Sequence, residues 1–144
     1  MKVEVKIKKE LDEPYAVIYT NKITTEIQKI ISSFDEQDKI ITARDGEKIN
    51  IIQREDIYMA RVENSEVVIY CKDKSYKSKK RLYEIGEQLG SEFMQISKSA
   101  FINLNKIECV EPYFNGMMNL KLKNGCSEYI SRKYLPNLKR YLGI

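Results

Sequence analysis

Ser97-Lys98-Ser99 sets two hydroxyls and a cation among bulky apolar residues, with Phe93 and Ile96 before it and Phe101, Ile102, Leu104 and Ile107 after it. Buried without partners, such groups cost free energy, so the triplet belongs on a surface that its apolar neighbours hold rigid. Two basic stretches flank it in the chain. Before it, Lys72, Lys74, Lys77, Lys79, Lys80 and Arg81 stand against Asp73 alone; after it come Arg132 and Lys133. Hydroxyls and cations at this density suit the binding of an anion.

Bond-making chemistry has little to work with. The chain contains no histidine, which excludes Ser-His and Cys-His nucleophile pairs and histidine-ligated zinc. It has no Walker-type glycine loop and no Gly-x-Gly-x-x-Gly, and no pair of acids stands in an informative context. Cys71, Cys109 and Cys126 show neither Cys-x-x-Cys nor metal-like spacing. The expectation is a protein without catalysis, metal, cofactor or small-molecule substrate.

Of the 144 residues, 32% are charged and 42% hydrophobic, the balance of a folded globular domain. No apolar run approaches the length of a membrane span, and the opening Met1-Lys-Val-Glu-Val-Lys6 lacks the core of a signal peptide. An odd cysteine count fits a reducing compartment, so a cytoplasmic protein is expected. The net charge of +4 is unevenly placed: residues 1–44 hold eight acidic and eight basic side chains, and the remainder 17 basic against 13 acidic. That asymmetry points to a polyanionic partner for the later part.

The elements that must position these groups follow from periodicity. Val3, Val5 and Ile7 alternate with charged residues and predict a half-buried strand, and Tyr15 to Tyr19 a second one. Ile23, Ile27, Ile30, Ile31 and Phe34 share one face of an amphipathic helix, with Asn21 or Thr24 as N-cap. Hairpins are expected around Asp45-Gly46 and around Glu63 to Glu66. Ser78 is expected to cap a helix whose buried face is Leu82, Ile85 and Leu89 and which Gly90 ends. Lys79, Lys80 and Arg81 would then stand at a helix start, where phosphate can also meet backbone amides. Strands over 108–113, 118–123 and 126–130 follow, with turns at Asn115-Gly116 and Asn124-Gly125, and Met118, Leu120 and Leu122 alternate with a wet basic face. A short helix carrying Leu135, Leu138 and Leu142 begins near Pro136. The class is α+β, mostly antiparallel β.

Ile57-Tyr-Met-Ala-Arg-Val-Glu-Asn64, Arg81-Leu-Tyr-Glu-Ile85, Phe93-Met-Gln-Ile-Ser-Lys-Ser99, Ile102-Asn-Leu-Asn-Lys-Ile107, Asn124-Gly125 and Ser131-Arg-Lys-Tyr134 stand in an order that resembles the LytTR DNA-binding domain of bacterial transcription regulators. The resemblance covers residues 45–144, leaving 1–44 as an N-terminal β-β-α block for packing or self-association. It implies an elongated multi-sheet β domain with small helices that inserts loops, rather than a helix-turn-helix, into successive grooves of double-stranded DNA. By position the implied contact loops are Asn64-Ser65-Glu66, Ser97-Lys98-Ser99 and Ser131-Arg132-Lys133. This chain has Gln95 and Ser97 where members often carry a basic residue and a histidine, and Glu66 where others carry histidine or a basic residue. As a whole it looks like the small stand-alone LytTR regulators. That likeness implies direct-repeat DNA sites, self-association as a homodimer on DNA, and a membrane protein as restraining partner.

Each group also has a plainer role open to it. Arg132 either holds guanine O6 and N7 or is a solvated arginine at a helix start, where the dipole disfavours it. Lys98 is a DNA contact or a surface lysine. Ser97 and Ser99 either touch phosphate or close their own turn. Lys79, Lys80 and Arg81 bind phosphate or form a solvated face. Asn103 is expected to be structural, and Tyr58, Tyr70, Tyr83, Tyr113 and Tyr129 to be core or cross-strand fillers. The competing class is a non-catalytic interaction module whose basic face takes an acidic protein.

Overall fold

Tight turns set the register of nearly every strand. In the computed structural model, which describes residues 1–34 and 40–144, β1 (Ile41–Asp45) and β2 (Lys48–Ile52) pair from Ile41–Ile52 down to Asp45–Lys48, closed at Gly46 with φ +61°. β3 (Met59–Glu63) and β4 (Glu66–Tyr70) close on Asn64 and Ser65, both with positive φ, which is the backbone of a two-residue hairpin turn. β5 (Ser75–Ser78) returns along β4 and also meets β1. β6 (Phe93–Ser97) and β7 (Ala100–Asn103) make a hairpin with a bulge between Gln95 and Ser97. These seven strands form one antiparallel sheet in the order β2-β1-β5-β4-β3-β7-β6. β8 (Ile107–Pro112), β9 (Met118–Leu122) and β10 (Ser127–Ile130) form a second sheet, ordered β10-β9-β8.

Alternation along the strands of the large sheet feeds two cores, one on each face. On one side Ala60, Val67 and Ile69 pack with Ile41, Ile52 and Phe93 beneath α2 (Leu82–Leu89), whose Leu82, Ile85 and Leu89 face down. On the other, Met59, Ile96, Ala100 and Ile102 meet Leu120, Leu122 and Ile130 of the small sheet and Leu138 of α3 (Leu135–Leu142). The order is helix, large sheet, small sheet with helix. α2 approaches β7 closely at Gly86, where a Cβ would lie 2.5 Å from the tip of the Phe101 ring.

The N-terminal expectation holds only for its helix. α1 (Thr25–Phe34) forms, and Thr24 caps it by accepting the Ile27 amide at 3.3 Å. Residues 2–8 and 15–19 are not strands, and Val3, Val5, Ile7, Tyr15, Val17 and Tyr19 are exposed. Alternation makes one face fit for burial, but a strand also needs a partner strand for its amides and carbonyls, and these segments have none among the described residues. A second correction concerns α2. Ser78 is the buried end of β5, paired with Val67, and its hydroxyl accepts the Lys80 amide at 3.2 Å. The helix starts four residues later, at Leu82. There the Glu84 carboxylate accepts the Arg81 amide at 3.4 Å, while the Glu84 amide donates to the Arg81 backbone carbonyl at 3.1 Å. β1 runs across residues 44 and 45, and both its partner strands lie beyond residue 45.

Candidate nucleic-acid interface

Two backbone hydrogen bonds bring the three polar loops together. The Val62 amide, two residues before Asn64, donates to the Ser99 carbonyl at 2.9 Å; the Ser131 amide donates to the Ile96 carbonyl at 3.0 Å. The Asn64-Ser65 turn and the Ser131-Arg132-Lys133 turn are thereby each stitched beside the β6–β7 hairpin, whose tip is Lys98-Ser99. Strands from both sheets hold this constellation, so it sits on rigid elements rather than on long loops.

Within it each side chain has a definite place. Lys98, Asn64, Ser65, Arg132 and Lys133 are exposed; Ser97 and Ser99 are half-buried. The Ser97 hydroxyl accepts the Ser99 amide at 3.2 Å and lies 3.3 Å from the Ser99 hydroxyl, so the serines close their own turn while keeping donor capacity for an incoming oxyanion. Lys79 and Lys80 are exposed in the bend between β5 and α2, before the helix and not in its first turn. With Arg81, Lys98, Ser65 and Gln95 they line an open groove between α2 and the hairpin tips. Glu66 begins β4, with the Lys77 ammonium 4.0 Å away offsetting its charge.

Arg132 is engaged in a way the sequence did not disclose. Its Nε donates to the Asn115 carbonyl at 2.8 Å, and Nη2 donates to the same oxygen. Asn115 presents that carbonyl from a left-handed conformation, φ +57°, in the β8–β9 connection. One edge of the guanidinium is therefore fixed, and the edge formed by Nη1 and the second hydrogen of Nη2 points away, ready for a planar pair of acceptors. The Asn115-Gly116 turn was legible in sequence; its contact with a residue 17 positions later was not.

Sequence reasoning also missed the ion network beneath the loops. Arg61 on β3 donates from Nε to Glu63 at 2.8 Å, from Nη1 to Glu128 on β10 at 3.1 Å and from Nη2 to the Tyr70 hydroxyl at 3.2 Å. The Tyr70 hydroxyl donates to Glu63 in turn. Partial burial works against the Arg61 charge, but its bonds to Glu63, Glu128 and Tyr70 outweigh this and hold the guanidinium well above its usual range. The Tyr70 hydroxyl first, and Arg61 next, hold the Glu63 carboxyl below the usual carboxylate range. Burial and the Glu63 bond push the Tyr70 phenol up. Only the alternation that puts Arg61 and Glu63 on one strand face hinted at this. Asn103 is structural as expected: 1% exposed, it donates to the Ile57 carbonyl and accepts the Asn105 amide, both at 2.9 Å. Tyr58 is buried and the Tyr113 and Tyr129 rings stack with centroids 4.4 Å apart, as fillers do, whereas Tyr83 is exposed.

Comparison with known proteins places this architecture. The family model of the LytTr DNA-binding domain matches residues 47–143. Uncharacterised HTH-type transcriptional regulators of Staphylococcus aureus strains MW2 and N315 are each 33% identical, over 100% of this chain and 99% of theirs. A solved LytTr DNA-binding domain from Bacillus cereus superposes with a TM-score of 0.68 at 17% identity, covering 74% of this chain and 98% of that one. Among the described residues, no two α-helices follow one another without intervening strands, so the helix-turn-helix in the relatives' name has no counterpart there. No helix among them is long and apolar enough to cross a membrane.

Proposed function

The chain belongs to the LytTR DNA-binding domain family, and from that we propose that it is a non-catalytic, sequence-specific regulator of transcription that reads double-stranded DNA with loops. The observation that carries this reading is the convergence of Asn64-Ser65, Ser97-Lys98-Ser99 and Ser131-Arg132-Lys133 through the Val62–Ser99 and Ile96–Ser131 backbone bonds. Three tips held side by side on strands suit successive grooves of one duplex. Lys98, Lys133, Lys79 and Lys80 hold phosphates and so set position, while Arg132, with Asn64 and Ser65, reaches base edges. Arg132 supplies the planar fork that guanine O6 and N7 accept, and the Asn115 carbonyl aims it.

We further propose that the protein works in the cytoplasm, self-associates on paired direct-repeat sites and is restrained by a membrane protein. Likeness to the small stand-alone regulators supports these assignments. The test begins with selection of bound fragments from genomic DNA, followed by affinity measurements on the recovered motif across a salt series. Neutralising about five phosphates gives a slope of log K against log salt near −4.5. A flat salt response with tight, specific binding would overturn the phosphate role of the lysines.

A further inference from the structure

The N-terminal segment leaves an apolar surface that nothing among the described residues covers. Val3, Val5 and Ile7 are 78%, 86% and 88% exposed. On α1 only Ile27 of the apolar stripe is buried, while Ile31 and Phe34 stay open. Tyr15, Val17 and Tyr19 are exposed as well, and open apolar surface of this kind marks an interaction site.

We propose that this surface is a homodimer joint in which residues 2–8 of two copies pair as antiparallel strands about a twofold axis through Val5. This deepens the self-association proposed above: the twofold axis relates residues 2–8, which lie outside the 47–143 match to the family model, so it does not itself demand inverted DNA sites. Charge and apolar matching together select the occupant and the register. With the axis at Val5, Val3 stands opposite Ile7, Val5 opposite Val5, and Glu4 opposite Lys6 on both sides of the axis. Moving the axis one residue toward the N-terminus sets Glu4 against Glu4 and Lys2 against Lys6; moving it one residue the other way pairs Glu4 with Lys8 but sets Lys6 against Lys6 and Val3 against Lys9. Like charges directly opposite destabilise an antiparallel pair. Lys2 and Lys8 face each other only at the solvated ends. Alternation puts Val3, Val5 and Ile7 on one face of the ribbon. A two-stranded ribbon needs a cover to persist, and the open stripe of α1 provides one. A self-complementary patch is what a twofold dimer requires.

The test uses the full chain in sedimentation equilibrium over a concentration series, with Glu4→Lys, Lys6→Glu and an equimolar mixture of the two. The wild type is expected to dimerise. Each variant alone places like charges at two symmetry-related positions, raising the dissociation constant about tenfold. The mixture should recover dimer, as a heterodimer in which Lys and Glu again face each other. Circular dichroism of each variant confirms that the fold is kept. A wild-type monomer at every concentration removes self-association altogether. A dimer indifferent to both variants keeps self-association and overturns this joint. Weakened single variants that do not rescue each other overturn the antiparallel register.

Discussion

Replacing Arg132 by alanine and Lys80 by alanine separates base reading from phosphate clamping. A guanidinium carries five N–H donors. Nε and one Nη2 hydrogen go to the Asn115 carbonyl, so the end edge remains for a bidentate pair. Such a pair discriminates against the wrong base by about 1–3 kcal/mol, roughly 5- to 150-fold. Arg132→Ala should weaken binding to the selected duplex by that factor and binding to a scrambled duplex far less. Lys80 lies exposed in the β5–α2 bend and bears on one phosphate at most. Lys80→Ala should weaken both duplexes alike and flatten the salt slope by about 0.9. Asn115→Val supplies a third arm, because a β-branched residue resists the left-handed backbone that aims the carbonyl. It should lower the cognate-to-scrambled ratio in the wild-type background and leave it unchanged in the Arg132→Ala background. Fluorescence anisotropy at two salt concentrations, after circular dichroism has confirmed folding, reads all of these. An unchanged ratio in Arg132→Ala would falsify the assignment of that turn to base reading. An Asn115→Val effect that persists without Arg132 would show that the β8–β9 connection acts by another route.

Two further outcomes test the scaffold. Glu63 titrates below its ordinary value near 4.5 in the fold, so its contribution is complete above that value and is lost as pH falls through the lowered folded value. The stability gap between wild type and Glu63→Gln, from urea unfolding, should therefore be constant near neutrality and shrink as the pH drops below about 4.5; a gap that widens in acid would sink this account. At neutral pH the gap should lie between the ~1 kcal/mol of exposed ion pairs and the 3–5 kcal/mol lost on breaking buried ones. Gly86→Ala sets helix propensity, which favours alanine by about 1 kcal/mol, against a Cβ lying 2.5 Å from the Phe101 ring. Overpacking, at about 1–3 kcal/mol, should win and lower the urea midpoint; a raised midpoint would mean that Phe101 swings aside.

Local chemistry was legible and partnership was not. Asp45-Gly46 and the polar run from Glu63 to Glu66 announced their hairpins because a two-residue turn demands positive φ from residues that tolerate it. Leu82, Ile85 and Leu89 announced the buried face of α2, and Gly90 its end. Ser78 misled because a serine before an apolar stripe signals a cap, while its pairing with Val67 depends on a strand elsewhere in the chain. The alternation in residues 2–8 misled for the same reason, since period two describes a face and says nothing about what hydrogen-bonds to it. The three loops could be named from the family resemblance. What sets them side by side is two backbone bonds between residues 37 and 35 positions apart, from Val62 to Ser99 and from Ile96 to Ser131.

The Arg61 network shows why a loop-based reader needs chemistry beneath its loops. Asn64-Ser65 grows from the large sheet, and Arg132 follows β10 of the small one, so the spacing of these two tips depends on how the sheets are fixed to each other. Apolar packing between them is non-directional and tolerates sliding. The bond from Arg61 to Glu128, 67 residues away, is directional, and it ties β3 to β10 close to where both loops leave. The same guanidinium, with the Tyr70 hydroxyl, binds the carboxylate of Glu63, the residue immediately before Asn64. Left alone, that charge would repel a phosphate approaching the turn. Arg61 thus fixes the distance between two of the loops proposed to contact DNA and offsets an acid beside one of them, without itself standing among the exposed residues proposed to meet the duplex.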